Sequence, residues 1–149
     1  MQPLNFPNYS FRFKSTENKT LIFDSLRKKF VPLTREEWVR QHTVQFLLQQ
    51  KKYPKNYINV EKSFQIGGLT KRYDLVVYKP DLSIWLLVEC KAPEVNITQT
   101  VFDQTARYNL HLQAEFLMLT NGLNHYYCQI DYHQQQYHFL PELPDFPLP

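Results

Sequence analysis

The sequence predicts an α/β fold in which a mixed central sheet is flanked by helices. Three observations predict this class: residues 34–51 have helical periodicity, residues 84–90 are apolar almost throughout, and a second helical segment separates them from another apolar run at residues 114–120. A helix between two apolar strands is typical of a crossover that joins parallel neighbours. With 149 residues, the chain suffices for one compact domain with a hydrophobic core.

The first helix is predicted to begin after Thr34. Thr34 and Glu37 have the spacing of a capping box, in which Thr34 accepts from the third helical amide and Glu37 reaches back. The residues of its apolar face recur at spacings of three and four: Trp38, Val39, His42, Phe46 and Leu47. Because proline cannot continue a helix, Pro54 limits this one, and we predict a helix over residues 34–51.

Extended runs separated by turn residues then predict two successive hairpins. Residues 56–65 and 72–78 are extended and flank a tight turn at residues 67–68, which are both glycine. Turn-forming residues at 79–83 lead into the strand at 84–90. Because that strand is apolar at nearly every position, we expect it to be buried on both faces.

A second helix and further strands complete the predicted core. Thr98 or Thr100 can cap a helix that runs to about Leu112. Residues 114–120 form the next apolar strand, and residues 125–132 are expected to close the sheet. The predicted order is therefore helix, three strands, crossover helix and a further strand or two.

The two ends of the chain are predicted to lie outside this domain. Residues 1–27 carry prolines and only fragments of strand alternation, which indicates an arm with one short strand or hairpin. Residues 28–132 form the α/β domain. Residues 133–149 are rich in Gln and Pro and are interpreted as a tail without regular internal structure.

Charge and composition fit a protein that binds a polyanion and argue against a membrane protein. The net charge of +3 and the pI near 8.8 fit a polyanionic partner, and basic residues cluster at 27–29, 51–55 and 71–72, although solvated loop charges explain these clusters equally well. No apolar run approaches the roughly 20 residues of a membrane span, and the N-terminus lacks a signal-peptide pattern. We therefore expect no membrane segment and a cytoplasmic location.

The cysteines and histidines give no sign of a metal site. Cys90 and Cys128 each stand in an apolar run, so we expect two reduced core thiols rather than a disulfide or a metal site. The five histidines lack the spacing of zinc ligands. Any metal would therefore be held by other residues.

Charged residues end the apolar strand at 84–90, where burying an unpaired charge costs several kcal/mol. Glu89 and Lys91 are two apart in sequence and so point to the same face of the strand. A register symmetric about the turn centre near residues 81–82 places Asp74 across from Glu89. The sequence therefore predicts that Asp74, Glu89 and Lys91 converge at one end of the sheet.

This convergence favours metal-assisted hydrolysis of a phosphodiester. Two neighbouring carboxylates raise each other's pKa unless a divalent cation lies between them, and oxygen ligands suit Mg²⁺ or Mn²⁺. Such a metal lowers the pKa of a bound water, and Lys91 can orient that water or stabilise the charge that develops at a phosphoryl group. The alternative is a structural cluster in which Lys91 merely neutralises Glu89.

The order of these residues resembles a known signature. An acidic residue, an ExK triplet and a QxxxY segment follow one another at Asp74, residues 89–91 and residues 104–108, which resembles the D…ExK…QxxxY signature of PD-(D/E)xK nucleases. The wider stretch, from residues 28–34 to residues 121–123, is similar to the N-terminal nuclease domain of type I restriction enzyme R subunits. The likeness leaves out the N-terminal arm and the Pro-rich tail.

The resemblance implies a restriction-endonuclease-like core, αβββαβ, and hydrolysis of DNA with Mg²⁺ or Mn²⁺ in a restriction or defence system. By that likeness Asp74, Glu89 and the backbone carbonyl of Cys90 hold the metal. Lys91 is then the catalytic lysine.

Each of the further candidate site residues also has a purely structural explanation. By the same likeness, Gln104 and Tyr108, four apart on one helix face, position the site or the DNA backbone; helix packing is the alternative. Glu37 is a candidate metal ligand, although the capping box accounts for it without chemistry. Three basic residues are candidate contacts to nucleic acid, and otherwise solvated charges: Lys71, Arg72 and Arg107.

The resemblance also implies partners. A type I R subunit continues into a DNA-translocating motor, whereas this chain has no GxxxxGK[ST] loop, so we expect DNA together with other restriction-system subunits or a motor protein in trans. Two symmetric cuts would need a dimer. Two alternatives stay open: a catalytically weak module that binds nucleic acid or a partner protein, and an interaction protein that docks through its sheet edge or its Pro-rich tail.

Overall fold

The structure is a computed structural model, and it describes residues 1–147. The described residues form a three-stranded sheet, a six-stranded sheet and two α-helices, α1 (Arg35–Gln45) and α2 (Gln99–Leu112). The smaller sheet contains β1 (Phe13–Thr16), β2 (Lys19–Asp24) and β3 (Lys29–Pro32). The larger sheet contains β4 (Ile58–Ile66), β5 (Leu69–Tyr78), β6 (Ile84–Cys90), β7 (Phe116–Thr120), β8 (His125–Asp131) and β9 (Gln136–Leu140).

The larger sheet is mixed, as the sequence predicts. Its strands follow chain order, β4 to β9, and α2 crosses over between the parallel neighbours β6 and β7. The other neighbours are antiparallel. The elements from α1 to β7 therefore occur in the predicted order of helix, three strands, helix and strand.

Strand β6 lies inside the larger sheet with a core cluster on each side. Every residue of β6 except Ile84 is buried, which confirms the predicted burial on both faces. Val88 belongs to the cluster that contains Val39 of α1, whereas Leu87 belongs to the cluster that contains Phe102 of α2. The alternation of side chains along one strand thus ties both helices to the same sheet.

The first helix begins where the sequence predicts. The hydroxyl of Thr34 accepts a hydrogen bond from the amide of Glu37 at 3.0 Å, which confirms the cap. The second half of the predicted capping box is wrong: the Glu37 carboxylate binds Arg40 at 2.6 Å, because a buried guanidinium is a stronger partner than a backbone amide. Beyond α1 the helix continues as the π-helical segment Phe46–Gln50, so residues 35–50 of the stretch predicted over residues 34–51 are helical.

The N-terminal region is more regular than the predicted arm. Strands β1 to β3 form a separate antiparallel sheet in the order β1-β2-β3, with Phe23 opposite Phe30. The predicted end of the arm at residue 27 falls in the turn that joins β2 to β3.

The prediction of a tail without regular structure is wrong for residues 136–140. These residues form β9, which pairs with β8 and follows a turn at residues 132–135. Farther on, Leu143 and Phe146 are buried in the cluster on the α1 side of the sheet. The last two residues of the predicted tail lie outside the described part of the chain.

The structure also bears on the predictions for the two cysteines and for membrane-spanning segments. Cys90 and Cys128 are both buried and free, which confirms the prediction of core thiols. Among the described residues, no helix is both long enough and apolar enough to cross a membrane.

Candidate active site

Asp74 and Glu89 meet where the pairing of β5 with β6 ends. Leu75 pairs with Val88 in the register that the sequence predicts, and Asp74 and Glu89 are the next residues of the two strands. At this point the amide of Cys90 donates to Oδ2 of Asp74 at 2.8 Å, so a side chain takes the place of a strand carbonyl. The two strands therefore separate and open a cavity.

This cavity has a volume of about 310 Å³ and contains most of the predicted site. It opens beside the ends of β5 and β6 and is bordered by α1 and β4. Its lining residues are Glu36, Arg40, Glu61, Lys71, Arg72, Tyr73, Asp74, Glu89, Cys90 and Lys91.

Arg40 of α1 holds Asp74. Its Nη2 and Nε lie 2.7 and 3.1 Å from Oδ1 of Asp74, and its Nη1 lies 2.6 Å from Glu37 and 3.1 Å from Glu61. Burial lowers the pKa of Arg40, but the charges of Asp74 and Glu37 outweigh it and raise that pKa. A permanently charged guanidinium thus neutralises the acidic groups on this side of the cavity.

Glu89 is held from the other side. Its Oε1 lies 2.6 Å from Nζ of Lys71, and its Oε2 accepts from the hydroxyl of Thr105 on α2 at 2.8 Å. Burial raises the pKa of Glu89, but the hydrogen bond and charge of Lys71, followed by the bond from Thr105, outweigh burial and lower that pKa. Glu89 is therefore ionised at neutral pH.

Lys91 borders the cavity with its side chain uncommitted. Its amide donates to the carbonyl of Thr120 at 2.8 Å, which anchors its backbone to β7. Within the described residues its ammonium has no carboxylate within 4.0 Å. The ammonium can therefore reach a ligand without first breaking an ion pair.

Cys90 is suited to contribute its backbone rather than its thiol. The thiol lies 3.8 Å from the hydroxyl of Thr43, and burial raises its pKa well above the ordinary value. A protonated, buried thiol is a poor ligand for a hard cation, whereas a carbonyl oxygen is a good one.

Of the two glutamates that open α1, Glu36 and not Glu37 borders the cavity. Both oxygens of Glu37 are engaged, Oε1 by Arg40 and Oε2 by Gln41 at 2.9 Å. Burial, followed by the charge of Asp74, raises the pKa of Glu36. The family likeness made Glu37 the candidate ligand and the capping box was the alternative explanation; neither argument considered Glu36.

Gln104, Arg107 and Tyr108 line a neighbouring groove of about 470 Å³ between α2 and the tip of the β4–β5 hairpin. Lys71 connects the two openings, because its Nζ lies 5.3 Å from the centre of the Tyr108 ring. Arg72 stays mainly exposed at the mouth of the first cavity. The structure thus brings six of the predicted site residues to one cavity: Lys71, Arg72, Asp74, Glu89, Cys90 and Lys91. Gln104, Arg107 and Tyr108 line the neighbouring groove instead, and the Lys71 side chain lies between the two openings.

The oxygens at the cavity suit a hard divalent cation in type. Four carboxylates border it, those of Glu36, Glu61, Asp74 and Glu89, together with Cys90, although no group of three His, Cys, Asp or Glu side chains within residues 1–147 could hold a metal. Both oxygens of Asp74 and of Glu89 already accept hydrogen bonds, those of Asp74 from Arg40 and the Cys90 amide and those of Glu89 from Lys71 and Thr105. The residues fit Mg²⁺ or Mn²⁺ if Lys71, whose long side chain is partly exposed, turns away.

This chain is similar to a protein family and to a solved structure. The model described as Type I restriction enzyme R protein N terminus (HSDR_N) matches residues 35–144. A fragment of a putative HsdR subunit of a type I restriction enzyme from Vibrio vulnificus YJ016 has a TM-score of 0.54 and 22% identity over 76% of this chain. The match covers 24% of that chain. No curated protein sequence matches significantly.

The structural likeness shows a shared fold, and the family match shows membership. The matched residues 35–144 begin at α1, include the whole larger sheet and contain every residue that lines the cavity. They exclude the smaller sheet. The chain therefore belongs to the family of type I restriction enzyme R protein N-terminal domains.

Proposed function

We propose that this chain is a divalent-metal-dependent nuclease that hydrolyses phosphodiester bonds of DNA in a restriction-related system. The observation that carries the proposal is the convergence of Asp74, Glu89 and Lys91 on one cavity, in a chain of the R-subunit N-terminal family. The proposal includes a PD-(D/E)xK centre on a restriction-endonuclease-like core, for which the order of α1, β4 to β6, α2 and β7 is the support.

The chemistry of the donors supports Mg²⁺ or Mn²⁺ as the cofactor. Asp74, Glu89 and the carbonyl of Cys90 would hold it, and when bound it would polarise a phosphoryl oxygen and lower the pKa of a water. Arg40 holds Asp74 in place through two hydrogen bonds. The Asp74 side chain is therefore already oriented before a cation binds.

Lys91 is the proposed catalytic lysine. Its ammonium is free of ion pairs within the described chain, so it can donate to a phosphate oxygen or orient the attacking water. Lys71 and Arg72 stand at the mouth of the same cavity, where they can contact flanking phosphates. Each of these roles uses a basic side chain against the negative backbone of DNA.

The neighbouring groove is the proposed continuation of the DNA path. Gln104 and Arg107 are exposed on α2, and Tyr108 is in contact range of Lys71. An exposed amide and an exposed guanidinium along one helix face suit contacts to phosphates beyond the scissile one. We further propose that other restriction-system subunits or a motor protein act with this domain in trans, and that paired cuts require a dimer.

A second candidate is a nuclease-like module that binds nucleic acid or a partner protein and does not cut. It is favoured by the saturation of both carboxylates, since Arg40, the Cys90 amide, Lys71 and Thr105 each bind one of them. A site satisfied in this way is stable without a metal. Binding of DNA with strong salt dependence and no hydrolysis in any divalent metal would favour this candidate.

Cleavage of supercoiled plasmid tests the proposal. The wild-type protein should nick DNA with Mg²⁺ or Mn²⁺ and lose this activity in EDTA, and Asp74→Ala and Lys91→Ala, purified identically, should be inactive. Nicking that survives both substitutions would come from a contaminant and would remove the basis for the proposal.

A further inference from the structure

The smaller sheet turns one face to the domain and the other face to solvent. Paired residues share a face, so Ile22 and Val31, which are opposite one another and buried, define the inner face. Asp24 also points inward, where its carboxylate binds Arg27 and Gln41. The outer face is therefore made of the alternate residues.

The outer face combines aromatic rings with cations. Phe23 and Phe30 lie opposite each other on it, with ring centres 5.2 Å apart. The guanidinium carbon of Arg12 lies 4.5 Å from the Phe23 ring centre, and Nζ of Lys14 lies 5.9 Å from the Phe30 ring centre. Both cations are exposed, and both rings are partly exposed.

This face is unlike the packed surfaces of the domain. Neither Phe23 nor Phe30 belongs to a core cluster of the described residues. The strand positions of the outer face carry no carboxylate; apart from Arg12, they are Lys14, Thr16, Lys19, Leu21, Phe23, Phe30 and Pro32. Its charge is therefore positive, and it complements an anionic partner.

Rings flanked by cations suit one class of polyanion. The bases of a single strand are unpaired and can stack on a phenyl ring or on a guanidinium plane, while cations beside the rings neutralise the phosphates. A duplex hides the faces of its bases and would use only the cations. The combination therefore favours single-stranded nucleic acid over a duplex.

The face also has a suitable position. Arg27, in the turn between β2 and β3, forms ion pairs with Glu37 of α1 and with Glu61 of β4, at 3.4 and 3.2 Å. Glu61 borders the cavity at Asp74 and Glu89. One end of the smaller sheet thus adjoins the candidate active site, so a strand that leaves the cavity can run onto the outer face.

We propose that the outer face of the β1–β3 sheet, with Arg12, Lys14, Phe23 and Phe30 as its contacts, binds single-stranded nucleic acid. This face lies outside the residues that the family model matches. Binding here requires neither a metal nor hydrolysis, and the proposal stands or falls independently of the cleavage activity.

The test measures binding of a fluorescein-labelled single-stranded oligodeoxynucleotide to the full chain in EDTA by fluorescence anisotropy, with the duplex form as comparison. Phe23→Leu with Phe30→Leu should weaken single-strand binding by at least about fivefold for each stacked base lost, and duplex binding far less. Arg12→Gln with Lys14→Gln should reduce the slope of log affinity against log salt by about 1.4. The charge-matched control is Lys52→Gln with Lys55→Gln, both exposed and distant in sequence from β1–β3.

A second readout does not depend on substitutions. Ultraviolet cross-linking of the wild-type chain to a thymine-containing strand, followed by peptide mass spectrometry, should place cross-links in residues 11–32. Equal affinity of all variants for the strand, a preference for duplex that the aromatic substitutions leave unchanged, or cross-links confined to other segments would each overturn the proposal. Retained plasmid cleavage with no single-strand binding would overturn it while leaving the proposed nuclease intact.

Discussion

Nζ of Lys71 lies 2.6 Å from Oε1 of Glu89, so the second acidic residue of the candidate site is neutralised from within the protein. The same nitrogen lies 5.3 Å from the ring centre of Tyr108 in the neighbouring groove. The divalent cation proposed to bind Glu89 would compete with this ammonium. Once released, Lys71 becomes available to a phosphate.

Competition between Lys71 and the metal gives the first prediction. Lys71→Met should bind Mn²⁺ about three- to tenfold more tightly than the wild type, because no partly exposed ion pair has to be broken. Calorimetric titration at neutral pH measures the affinity. Lys55→Met removes the same charge at an exposed position away from the cavity and should leave it unchanged. Equal or weaker affinity in Lys71→Met would show that the two cations do not compete.

Arg40 gives the second prediction. Arg40→Met removes the partner of Asp74 and Glu37 and leaves buried carboxylates unpaired, which should lower the free energy of unfolding by about 3 kcal/mol. Arg35→Met, on the same helix, breaks an exposed pair with Glu94 and should cost less than about 1 kcal/mol. Urea denaturation of both variants makes the comparison, and similar losses in the two would contradict the buried role of Arg40.

The position of Asp74 beside Glu89 was predictable because it depends on local rules. A register symmetric about residues 81–82 agrees with the pairing of Leu75 with Val88, although a register shift between Val77 and Tyr78, which the sequence did not predict, lies between that pair and the turn. The predicted convergence needed no knowledge of distant contacts. The first helix was predictable for the same reason, since its cap and periodicity lie within the segment itself.

Arg40 and Lys71 were not predictable in the same way. Both partners of Asp74 and Glu89 come from other parts of the chain, and a polar residue in a helix such as α1 is normally assigned to solvent. Burial of Arg40 is a tertiary effect, because two of its four acidic partners, Glu61 and Asp74, are distant in the sequence.

Strand β9 was missed for a different reason. The Gln and Pro content of the C-terminal region favoured an irregular tail, and that composition concealed the alternation of Tyr137 and Phe139 with polar neighbours after a turn. Pairing with β8 supplies the hydrogen bonds that composition alone does not reveal. For strand β9, the alternation of residues was therefore a better indicator of secondary structure than the amino-acid composition.

The C-terminal region supplies the third prediction. Leu143 is only 2% exposed, so Leu143→Ala should lower the free energy of unfolding by about 3 kcal/mol through the lost contacts and the cavity left behind. Leu110→Ala, at a position of α2 that is 44% exposed, should cost less than about 1 kcal/mol. Thermal or urea unfolding gives both values. An equally mild effect at Leu143 would support the tail without regular structure that the sequence predicted.

Two buried histidines give the fourth prediction, which concerns pH. Burial lowers the pKa of both His42 and His125 below 6.5. Nε2 of His125 bonds the carbonyl of Asn5 at 2.6 Å, and Nδ1 lies 2.7 Å from the hydroxyl of Thr120, which suits a neutral imidazole. The unfolded chain therefore binds protons before the folded chain does as pH falls.

The lowered pKa values of His42 and His125 determine the direction in which stability changes with pH. Stability from the neutral imidazoles is complete above the unfolded pKa and is lost as pH falls through the lower, folded pKa. The unfolding midpoint should decrease between about pH 7.5 and pH 5.5. In His42→Gln with His125→Gln the decrease should be smaller, whatever the absolute stability of the variant. An unchanged pH dependence in that variant would exclude the histidines as its source.

Lys91→Met tests the central claim most directly, because it separates metal binding from chemistry. Mn²⁺ affinity and plasmid nicking are measured on the same preparation, beside wild type and the control Lys55→Met. The proposed role of Lys91 predicts that Lys91→Met keeps Mn²⁺ affinity within about threefold of wild type and loses nicking by at least about a hundredfold. Nicking by Lys91→Met at the wild-type rate would contradict the assignment of the active site.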